Sequence, residues 1–159
     1  MAEVGCLKDG DFQNLQIEGT TVFNGATHLK IPVESLTAAR AITAADSGTT
    51  FILDAAGGAG ITLPSVANAG DGFNCKFIVG TAFSTTDWTI TATAAIMVGG
   101  INELAVTTGN DGPSTTGHAI LTLAASGETI GDYVDIICAG TKMFVSGQSK
   151  GDGFMSFNA

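Results

Sequence analysis

From Leu36 to the C-terminus, apolar and polar residues alternate in short runs, and Gly, Asp, Asn or Ser interrupts these runs every 8–12 residues. In Trp88–Thr93 (WTITAT) the alternation sets Trp88, Ile90 and Ala92 on one face and Thr89, Thr91 and Thr93 on the other. A side-chain period of two is the signature of a strand buried on one side. The same reading applies to Thr50–Asp54, Ile61–Leu63, Asn74–Val79, Ala94–Val98, Thr116–Leu123 and Phe154–Phe157. In Asp132–Ser146 two alternating runs flank Ala139-Gly140-Thr141, where Gly140 can supply a positive φ, so the segment predicts a hairpin. The spacing predicts about eight short strands in roughly 120 residues, an all-β sandwich or barrel. Helix signals are thin: Glu34–Thr43 has the composition for a turn or two but lacks a cap and a stop.

Composition narrows the function classes. Only 13% of residues are charged, whereas 22 Gly, 22 Ala and 21 Thr fill much of the chain. Long solvent-facing helices need more Glu, Lys and Arg than this. Six basic against fifteen acidic residues give a formal charge of −9. That balance argues against nucleic acid and against an anionic membrane as partners. The longest apolar run, Ala94–Val98, is far short of a bilayer span. The opening Met-Ala-Glu-Val-Gly-Cys has neither the basic nor the apolar part of a signal peptide. Three widely spaced cysteines, Cys6, Cys75 and Cys138, are expected to be reduced thiols of a protein made in a cytoplasm. Cys75 and Cys138 lie within alternating runs and read as small core residues. Cys6 lies in a polar stretch.

The chain divides near residue 37. Residues 1–36 hold short extended stretches, Phe12–Glu18 and Thr20–Phe23, separated by Gly10, Gly19 and Gly25. Pro32 biases Ile31 towards an extended conformation. The segment is too short for a domain and reads as an extended N-terminal arm (1–36), followed by a β-domain (37–159). Its apolar residues Phe12, Leu15, Ile17, Val22 and Phe23 have no obvious place in a sandwich core. They are the expected contact residues for a neighbouring protein, the alternative being an extra strand of the same domain.

No motif predicts an active site, a metal or a cofactor. His28 and His118 are the only histidines, and no Cys-x-x-Cys, His-Glu-x-x-His or Gly-x-Ser-x-Gly is present. Gly57-Gly58-Ala59-Gly60 precedes Ile-Thr-Leu-Pro, a strand ended by proline, whereas a phosphate loop needs Lys-Ser/Thr and a helix N-terminus. Asn110-Asp111-Gly112 and Asp152-Gly153 lack the alternating oxygens and terminal Glu of a calcium loop and read as turns. Asp132 and Asp135 point to opposite faces of one strand, and Glu103 and Glu128 stand isolated in the sequence. Trp88 reads as a core or subunit-interface residue. Phe154, Met155 and Phe157 read either as a buried subunit contact or as the strand that completes the sheet.

Two stretches resemble tailed-phage virion structural proteins. The first is Ile42–Asp54 (ITAADSGTTFILD), followed by a Gly-rich turn and Ile61-Thr62-Leu63-Pro64. The second is Gly131–Gly147 (GDYVDIICAGTKMFVSG), which is similar to the closing hairpin of these proteins, with Phe144 as the aromatic before Val-x-Gly. The opening Gly5–Leu15 (GCLKDGDFQNL) resembles the start of small structural proteins of cyanophages and other aquatic phages. The resemblance implies a jelly-roll-like β-sandwich of short antiparallel strands, with no catalytic residues. It implies a homotrimer attached to a virus particle, synthesised in the host cytoplasm. The expected function is that of a capsid decoration (cement) protein. It would bind the major capsid protein on the outer head surface and stabilise the shell by bridging its subunits. The arm residues would make the shell contact, and Trp88, Phe154, Met155 and Phe157 the trimer interface. The same small β-domain occurs in tail, fibre and head-fibre proteins involved in host attachment, and this is the alternative.

Overall fold

The computed structural model describes residues 30–104 and 114–158. Residues 31–159 cluster as a unit distinct from residues 1–30. Twelve short strands are described: β1 (Val33–Leu36), β2 (Arg40–Ala41), β3 (Thr49–Leu53), β4 (Gly60–Thr62), β5 (Asn74–Val79), β6 (Trp88–Thr91), β7 (Met97–Glu103), β8 (Ser114–His118), β9 (Ile120–Leu123), β10 (Tyr133–Ala139), β11 (Lys142–Ser149) and β12 (Met155–Asn158). A 3₁₀ turn at Ala44–Asp46 and a single helical turn, α1 (Val66–Ala69), are the only helical elements among the described residues. The strands form two sheets, of order β1-β3-β5-β10-β11-β7-β8 and β12-β9-β6-β4-β2. The fold is therefore all-β.

The first six strands alternate between the sheets. β1, β3 and β5 run parallel in the larger sheet, while β2, β4 and β6 run parallel in the smaller one. Each turn of chain lays one strand on each sheet, so the N-terminal half is a flattened coil of three rungs. The second half closes this coil mainly with antiparallel pairs, β7 and β11 being parallel. The β10–β11 hairpin enters the larger sheet between β5 and β7, and β9 and β12 extend the smaller sheet beside β6. Of the ten pairings among the described residues, five are parallel. The antiparallel expectation is thus corrected. Alternation reports which face a strand buries, and that pattern is the same whether the neighbour arrives by hairpin or by a pass through the opposite sheet.

The inner faces of both sheets share one core. Leu36, Leu53 and Val79 are in register across β1, β3 and β5. Phe51 and Phe77 stack with ring centroids 5.4 Å apart. Ile61, Ile90 and Leu121 face them from β4, β6 and β9. Burying a side chain of this size contributes roughly 1.5–3 kcal/mol relative to exposure, which makes these rows the main source of stability. At the open edge, Glu34 and Arg40 occupy the positions in register with the buried Phe51 and Ile61. The Arg40 guanidinium meets Glu34 at 3.4 Å and Asp46 at 3.0 Å. Inward charges on an edge rung discourage another strand from docking there.

Three local expectations change. β1 lies inside the stretch read as arm, so the sheet begins before residue 37. Glu34–Thr43 forms no helix; it supplies β1 and β2, because each strand's partner is already in place one rung away. Thr116–Leu123, read as one strand, is two. The chain bends at Ala119 and passes from the larger sheet (β8) to the smaller one (β9). The hairpin forms as the alternation predicts, with Gly140 at φ 61° in its turn.

Candidate functional site

The residues expected at a trimer interface lie in or next to the smaller sheet, where Met155 and Trp88 share a row through Leu123. The Trp88 side chain is fully buried, its indole N–H donating to the Ala55 carbonyl at 3.3 Å. It belongs to the protomer's own core, which corrects the interface reading: a side chain with no exposed area has none to offer a neighbour. Met155 is also in the core. Phe157 is half-buried on β12, packed against the core, with its ring 5.2 Å from that of His118. Phe154 is half-buried against Gly127 and Gly151, where any side chain would overlap its ring. Phe12, Leu15, Ile17, Val22, Phe23, His28 and Cys6 lie outside the described residues.

One pair has the outward form of nucleophile and base. Ser114 Oγ and His118 Nε2 are 2.7 Å apart at the two ends of β8. Ser114 Oγ is also within 3.0 Å of the Thr116 carbonyl, which competes with the imidazole for its proton. His118 Nδ1 is buried with no partner among the described residues, so no carboxylate among them orients the ring. A working triad needs that third group and a hydroxyl proton aimed at the base. The pair instead pins β8 beside a 240 Å³ cleft between β7 and β12, lined by Ile101, Glu103, Ser114, Met155 and Phe157 among others.

A second cluster was invisible in the sequence. Asp132 is buried and accepts from the Thr129 N–H at 2.7 Å and the Lys150 N–H at 3.1 Å. Glu128 is only 6% exposed, and neither of its carboxyl oxygens receives a hydrogen bond among the described residues. Its pKa is pushed up to about 8, first by burial, then by the neighbouring Asp132 carboxylate and by the negative charge of Glu103. The Ser149 hydroxyl is likewise buried without a partner among the described residues. Glu103 accepts from the Gly153 N–H at 2.6 Å. Two acids four residues apart in a loop carry no signal of burial; the fold supplies it.

The thiols and the glycine loop are structural. Cys75 and Cys138 are buried, and burial pushes Cys75 up to about 12 and raises Cys138, which leaves both as unreactive thiols. In the Gly57–Gly60 turn, Gly58 has φ 70°, and a Cβ there would overlap the Thr86 carbonyl. Its N–H donates to the Ala55 carbonyl. The loop closes on its own chain.

The outer face of the larger sheet carries exposed apolar side chains. Ile137 on β10 and Phe144 on β11 are directly opposite each other and 51% and 52% exposed. Beside them runs a shallow groove of about 610 Å³, bounded at the β1 edge by Ile31 and floored by Thr50, Asn74, Lys76, Asp135 and Ser146. Lys76 Nζ lies 3.2 Å from Asp135 and 3.9 Å above the Tyr133 ring. Ile31 and Val33 are exposed beside it. Solvent-facing strand positions are normally polar, so large aliphatic and aromatic side chains there mark contact surface. No family model, curated protein or solved structure matches the chain. No helix among the described residues is long and apolar enough to cross a membrane.

Proposed function

We propose that the chain is a capsid decoration protein of a tailed phage. It works as a homotrimer on the outer head surface and stabilises the shell by bridging major capsid protein subunits. The observation that carries this reading is the set of large apolar residues exposed on the larger sheet and its β1 edge, around a core that is otherwise closed. A contact protein needs such surface. The resemblance of Ile42–Asp54 and Gly131–Gly147 to virion proteins supplies the setting. The reading takes the all-β, two-sheet domain as a jelly-roll-like sandwich in which a parallel coil replaces part of the antiparallel connectivity.

The mechanism is mechanical, with no catalytic step and no cofactor. The arm residues Phe12, Leu15, Ile17, Val22 and Phe23, continued by Ile31 and Val33, seat the protein on the shell. Interfaces below roughly 1,000 Å² are weak singly. Three arms held in one trimer bind together, because the first contact raises the effective concentration of the others. The formal charge of −9 suits a surface that faces away from the packaged genome. Deletion of residues 1–30 tests the arm. The truncated domain is expected to fold and to lose head binding. Full occupancy of heads by the truncated chain would remove the arm from the account.

A further inference from the structure

We propose that the outer face of the seven-stranded sheet, centred on Ile137 and Phe144, is where copies of this chain meet. The inference rests on the homotrimer reading above and assigns its interface.

The register fixes what this face presents. Positions in line with Ile137 and Phe144 are Asn74 and Val98, and the next row is Thr50, Lys76, Asp135, Ser146 and Gly100. The outward charges on β3, β5, β10, β11 and β7 are Lys76, Lys142 and Asp135, a net of +1 (two positive, one negative). The chain as a whole is at −9, so the remainder carries −10 (−9 minus +1). Two copies of an acidic protein repel each other over most approaches, and this face escapes that repulsion. Lys76 is already matched by Asp135 within the face, so covering that pair strands no lone charge, and the net charge is that of Lys142 at the hairpin end. In a three-fold ring the contact is heterologous, so this weakly positive face meets a different, acidic surface of the next copy.

The size is adequate. Seven strands about 4.8 Å apart and some six residues long span a flat footprint on the order of 600 Å². Accessible surface exceeds its flat projection, which brings the face near the ~800 Å² per partner of a standard interface. Ile137 and Phe144 lie on two middle strands of the face, one outward row from the hairpin end, and exposed aromatic and aliphatic side chains of this kind supply most of the binding energy of an interface.

The test compares the full-length protein with I137T/F144T and with I130T by sedimentation and light scattering, up to about 100 µM. Threonine keeps strand propensity. Ile130 is an exposed control on the β9–β10 loop. Circular dichroism melts check folding, and F144T alone gives the same readout if the double variant does not fold. The expected result is self-association of the wild type and of I130T, and association weakened roughly a hundredfold in I137T/F144T. A wild-type dimer lost in I137T/F144T upholds the face and overturns the three-fold reading. A wild-type trimer unchanged in I137T/F144T overturns the face and leaves the homotrimer standing. A wild type that stays monomeric overturns both.

Discussion

Glu128 holds a proton that a surface glutamate would give up. Its ordinary value is 4.5, and in the folded chain it lies at about 8, burial being the largest cause. The folded state therefore binds more protons than the unfolded state between these values. The stabilisation is fully present below about pH 4.5 and is lost as pH rises through about 8. Asp46 runs the other way. The Thr43 backbone N–H lowers it first, with Thr43 hydroxyl and Arg40 assisting, so its contribution fades as pH falls. The unfolding temperature of the wild type is expected to drop between pH 5.5 and 8.5. In Glu128→Gln the drop should shrink, and the variant should exceed the wild type at pH 8.5 by on the order of 5 °C. Equal pH profiles for the two proteins would show that Glu128 is not the group responsible.

At the scale of elements, the hairpin was readable because its partner strand is local. Ala139 pairs with Lys142 across two residues, and everything needed lies within Asp132–Ser146. Its tip is held from outside: Asp71 Oδ1 accepts the Gly140 N–H at 2.7 Å, and the Gly72 N–H donates to the Cys138 carbonyl at 2.9 Å. Asp71→Ala should cost about 1 kcal/mol in urea unfolding, with Asp71→Asn recovering most of it, because the amide oxygen can still accept. Equal losses in both variants would assign the effect to charge. The parallel strands were not readable in the same way. β3 and β5 are separated in sequence by β4, which lies in the other sheet, and nothing in Thr49–Leu53 names its partner. Trp88, Ile90 and Ala92 were correctly grouped as one face, but whether that face meets a core or another subunit depends on what lies opposite. The Glu128–Asp132 pair was hidden for a related reason. Burial of a loop residue is decided by segments such as Ser149–Gly153 that are remote in sequence.

For the whole molecule, the parallel coil and its antiparallel closure divide the work. The rungs give a two-sheet body with one core, and the outer strand faces are mostly polar and Thr-rich. Ile137 and Phe144 depart from that pattern, as do Ile31 and Val33, and the proposed seating on a shell and on copies of the chain draws on these departures. The chain's place on the particle is the central claim, and a cryo-EM reconstruction of purified virions tests it most directly. The account predicts density for this two-sheet domain on the outside of the head, in hundreds of copies grouped about three-fold positions. Density confined to the tail or fibres, in a handful of copies, would contradict it.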